Sequence, residues 1–95
     1  MATTRENLMK ILEEKYPNLF MRTTEEFDGT KGGIWSSGES GVEATDGKPL
    51  FQYYNEDYDE VIYVLGIHKE IGTILEDNGW FPEWHDAGTI MFYEM

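Results

Sequence analysis

Trp80-Phe81-Pro82-Glu83-Trp84-His85, Asp86-Ala87-Gly88 and Thr89-Ile90-Met91-Phe92-Tyr93-Glu94 follow one another without a break, and the fold turns on how they are read. Two runs rich in aromatic and β-branched residues flank a three-residue loop that contains glycine, the pattern of a β-hairpin. In the second run Ile90 and Phe92 alternate with Met91 and Tyr93, so both faces carry apolar side chains. A strand without a wet face is central in a sheet or covered on both sides. The C-terminus therefore predicts an antiparallel sheet built around residues 89–94.

Upstream, Asp57-x-x-Glu60 ahead of Val61 fits a helix start. Tyr63, Val64, Ile67, Ile71, Ile74 and Leu75 fall on one broad face of a helical wheel. Val61–Leu65 is β-rich by composition, so a strand through Leu65 followed by a helix from Gly66 competes with a single helix over 58–77. The long helix is the reading adopted. Gly79 ends either version by taking the left-handed cap. Gly66 and Gly72 each weaken a long helix by about 1 kcal/mol, or else mark close approach to the sheet.

Asp46-Gly47 is a hairpin dipeptide, with Val42–Thr45 and Pro49–Tyr54 as its strands and Phe51 and Tyr53 on one face. Ile34–Ser37 reads as a short strand. Leu19–Phe27 stays open between a strand and a helical turn started by Thr23-x-x-Glu26. At the N-terminus, Thr3 and Glu6 form a capping box, and Leu8, Ile11, Leu12 and Tyr16 share a face. Pro17 stops that helix. The expectation is one α+β domain over residues 1–95. It has a small antiparallel sheet of about 4–6 short strands, packed by two helices at 4–16 and 58–77.

Charge is uneven along the chain. Residues 1–48 hold nine acids and six bases, whereas residues 49–95 hold ten acids and a single base, Lys69, within a net charge of −12. Ten of the fourteen aromatics are in the second part, which makes that half the natural place for a contact surface. Such a surface repels phosphate, so direct nucleic-acid binding and binding to an anionic membrane are not expected. The longest strictly apolar run, Val61–Leu65, is far short of the roughly 20 residues a bilayer requires. The N-terminal residues lack the apolar core of a signal peptide. With no cysteine in the chain, a cytoplasmic location is expected.

Candidate chemistry is sparse. His68, Glu83, His85 and Asp86 are the residue types of a zinc or non-haem iron site, and Glu83 and His85 share a face if their strand is regular. Glu39 and Asp46, in turns, are the carboxylates placed for hydrolysis. Ser36, Ser37 and Ser40 lie in no nucleophile-elbow pattern, and Gly29-Thr30-Lys31-Gly32-Gly33 lacks the spacing of a phosphate loop. No cofactor is expected. The stronger candidates are for partner binding: Tyr54, Glu56, Asp57, Tyr58, Asp59 and Glu60 in the acidic, aromatic run, and Trp84 at the C-terminal hairpin.

Gly66-Ile67-His68-Lys69-Glu70-Ile71, then Asn78 through Thr89, resemble small uncharacterised proteins of tailed phages, particularly T-even-like phages of marine cyanobacteria. Pro49-Leu50-Phe51-Gln52-Tyr53-Tyr54 belongs to the same resemblance, which spans about residues 33–95. It implies a phage origin more than a function, and that origin favours small proteins that bind host or virion proteins. The functional expectation is a small acidic protein acting by protein–protein contact. One version is an acidic inhibitor or nucleic-acid mimic seated in a basic groove of a host enzyme. The alternatives are a metal-binding protein or hydrolase using Glu83 and His85, and an assembly protein that pairs through an exposed strand edge.

Overall fold

The computed structural model describes residues 2–53 and 62–95. In chain order these form α1 (Arg5–Lys15), β1 (Met21–Thr23), α2 (Thr24–Phe27) and β2 (Ile34–Ser37). They continue with β3 (Tyr63–Val64), β4 (Ile67–His68), α3 (Lys69–Asp77), β5 (Trp80–Asp86) and β6 (Thr89–Glu94). The chain is α+β. Four antiparallel strands in the order β1-β2-β6-β5 make the main sheet, and β3-β4 make a separate two-stranded one.

The C-terminal hairpin forms as its alternation predicts, with β6 inside the sheet between β2 and β5. Thr89, Ile90, Met91 and Phe92 are all buried, so both faces of β6 are covered. On the inner face Ile34, Ile90, Phe92 and Trp80 join one core with Leu8 and Leu12 of α1 and Ile71 and Leu75 of α3. The outer face carries an aromatic layer. Phe27 of α2 stacks on Trp35 at 5.6 Å between ring centroids, Phe20 meets Trp35 edge-on, and Phe81 lies against Tyr93. Gly33 makes room for this layer, because a Cβ there would stand 2.6 Å from the Tyr93 ring.

Helix α1 is one residue shorter at each end than the expected 4–16. Its cap is Thr4, whose hydroxyl accepts from the Asn7 amide, and the Thr3–Glu6 capping box does not form. Thr3 is committed elsewhere: its amide and its hydroxyl both donate to Asn78 at the end of α3. The open reading of 19–27 resolves into both alternatives in succession, strand β1 and then the single turn α2.

The helix expected over 58–77 is corrected within the described residues. It starts at Lys69, and the residues just before it are a hairpin. Val64 pairs with Ile67 across a two-residue turn in which Leu65 has φ 52° and Gly66 has φ 78°. Positive φ at both central residues matches the twist of the flanking strands and is incompatible with a helix. Gly66 also fits under the chain at Gln52, whose carbonyl oxygen would lie 2.5 Å from an added Cβ. Gly79 ends α3 in the left-handed region, as expected. The strand expected at 49–54 is reduced, as far as residue 53, to isolated bridges at Pro49 and Phe51. Leu50 donates to Val42 on one side and accepts from His68 on the other, so it belongs to no single ladder.

Candidate functional site

β5 is one edge of the main sheet, and a groove of about 640 Å³ runs beside it. One wall is α3, through Gly72, Thr73 and Glu76. The opposite wall is β5 itself, from Trp80 to Trp84. The β3–β4 tip closes one side with Val64 and Leu65, and Met95 lies along the lining too. The rim is apolar and exposed: Leu65 is 83% accessible, Met95 67%, Val64 55% and Phe81 37%.

Trp84 ties this surface together. Its indole N–H donates to the Leu65 carbonyl at 2.8 Å. Phe51 and Tyr53 meet the ring edge-on at 6.1 and 5.1 Å between centroids. Gly38 leaves space for the ring, since a Cβ there would stand 2.6 Å from it. Trp84 is the one partner-binding candidate among the described residues. Tyr54, Glu56, Asp57, Tyr58, Asp59 and Glu60 lie outside them.

The metal candidates do not converge. Among the described residues no three His, Asp or Glu side chains come together as a metal site requires. A register shift between Trp84 and Asp86 interrupts the strand pairing at His85, and Glu83 and His85 find no third ligand among the described residues. Glu83 lines the groove, His85 packs edge-on against Phe27, and the Asp86 carboxylate accepts from the Gly88 amide within the turn.

His68 and Asp46 meet instead, with Nε2 2.9 Å from Oδ2. The pair resembles half of a hydrolytic triad, but its other nitrogen is occupied. His68 Nδ1 accepts from the Glu70 amide at 2.9 Å and so caps α3. An amide only donates, which fixes the imidazole proton on Nε2 and leaves no free lone pair for a general base. Hydrogen bonding from His68, then from the Lys48 amide, holds the Asp46 carboxyl below its ordinary range. Burial acts to raise the Glu70 carboxyl. Hydrogen bonds from Thr45 and Tyr16, with the Lys15 charge, outweigh it and keep that group low. Burial and the Glu70 carboxylate push the Tyr16 phenol above its ordinary value. This cluster clamps the 45–46 turn onto the start of α3. Glu39 has no part in it; its amide donates to the Ser37 hydroxyl.

Sequence reasoning missed Leu65, Val64 and Met95. The Leu65-Gly66 pair after a β-rich run was the signal that could have found the hairpin tip. Among the described residues no helix is long and apolar enough to cross a membrane. Comparison with family models, with curated proteins and with solved structures gives no match.

Proposed function

We propose that this protein acts by protein–protein contact, through the groove between α3 and β5. The observation that carries the reading is Leu65. Among the described residues it is the most exposed large apolar side chain, and it holds a left-handed backbone that glycine or asparagine adopts at less cost. Two local rules are broken at one residue, and such residues gather at functional sites. A partner that covers Leu65, Val64 and Met95 gives that exposure a purpose. With a net charge of −12, the partner is basic, and the phage-like texture of residues 33–95 makes host or virion proteins the natural class.

The test is selection from a displayed peptide library against the full chain, with Leu65→Asn as the counter-target. Asparagine suits the turn, so this variant should melt no lower than the parent. Peptides retained by the parent and lost on Leu65→Asn are the expected result. A selection that yields no such peptide removes the proposal. The inhibitor or mimic version adds that retention weakens steeply with salt, because charge pairing at a surface is screened.

A further inference from the structure

We infer that the occupant of the groove is a basic amphipathic helix laid along α3 and crossing it at Gly72, a reading that rests on the groove being the contact surface. Gly72 lies inside α3 with helical backbone, and apart from its neighbours and the helix's own backbone no described atom comes within 4 Å of a Cβ built there. Neither a turn nor crowding among the described residues requires glycine at this place, and glycine is the poorest helix former after proline. Gly72 faces the groove. A missing side chain at a helix surface lets a second backbone come close, the usual role of small residues where helices cross.

Strand addition is the other way to use a sheet edge, and this edge opposes it. Pro82 sits in the middle of β5 and has no N–H to offer an incoming ladder. The hairpin tip is tied across the Trp84 end through the Leu65 carbonyl. Recognition therefore runs through side chains, and a helix inserts apolar residues at i, i+3, i+4 and i+7. Glu76 on the α3 wall faces an occupant, with Lys69 the cation among the described lining residues, in a chain of net charge −12. A helix with lysine or arginine beside its apolar stripe is attracted to so acidic a chain, and an acidic one is repelled.

The experiment titrates the full chain with three synthetic peptides of about 18 residues, long enough to hold a helix. They are a Leu–Lys peptide patterned at helical period, a Leu–Lys peptide of the same composition alternating at period two, and a Leu–Glu peptide at helical period. The first should bind about tenfold more tightly than the second, and the third should not bind. Gly72→Leu should weaken the first by about tenfold while melting no lower than the parent, with Gly72→Ala between them. Equal binding of the two Leu–Lys peptides, or unchanged binding to Gly72→Leu, overturns the inference. Library peptides that depend on Leu65 and ignore Gly72→Leu would sink the helix while leaving protein contact standing. Peptides indifferent to both variants would sink both.

Discussion

Trp35 and Trp80 face opposite sides of the same sheet and differ in what their indole N–H finds. Trp80 donates to the Thr3 carbonyl at 2.7 Å. The Trp35 nitrogen is buried and has no partner among the described residues. A buried donor left unmet costs about 1–3 kcal/mol, whereas a met one contributes about 1 kcal/mol. Trp35→Phe removes an unmet group and Trp80→Phe removes a met one. The first variant is expected to lose less stability than the second, by roughly 1–2 kcal/mol in denaturant unfolding. Gly66→Ala places a Cβ both at positive φ and against the Gln52 carbonyl. It should cost at least about 1–2 kcal/mol and lower the melting temperature measurably.

At the scale of the elements, Glu70 is where a pH effect should appear. Its folded-state carboxyl is held below the ordinary value, so it stabilises the fold above the unfolded value of about 4.3. That contribution is lost as pH falls through the lower folded value. Glu70→Gln should therefore reduce stability at neutral pH by about 1 kcal/mol, and the difference from the parent should shrink in acid. Unfolding curves at pH 7 and near pH 3 check both statements. The same region explains what the sequence hid. The C-terminal hairpin, α1 and β2 were legible because periodicity, turn chemistry and Pro17 agreed. The stretch 62–68 was not, since Tyr63, Val64, Ile67 and Ile71 fit a helical wheel as well as they fit a hairpin. Its turn is Leu-Gly in place of Asn-Gly, and its helix cap is His68 in place of Ser, Thr, Asp or Asn. Trp84 stood out by residue type, but its groove did not, because the walls come from three separate pieces of chain.

The whole molecule has little stability to spare. A domain of 95 residues holds roughly 5–14 kcal/mol in total, at about 0.05–0.15 kcal/mol per residue. Phe92 is fully buried at the centre of the sheet, and Phe92→Ala should cost about 3–5 kcal/mol. That loss is large enough to leave a measurable unfolded fraction at 37 °C, visible as an early thermal transition.

Thr3 hydrogen-bonds to Asn78, Ala2 packs on Gly79, and the Met95 amide donates to the Gly79 carbonyl. Residues 2–3 and Met95 are thus moored at one spot, where Met95 lines the groove. An affinity handle or fluorescent fusion attached to either end would hang over the surface being assayed. Immobilisation through the 28–32 turn, on the β1–β2 side of the sheet, keeps that surface clear. Comparing capture through the two anchor points would measure how far a tag masks it.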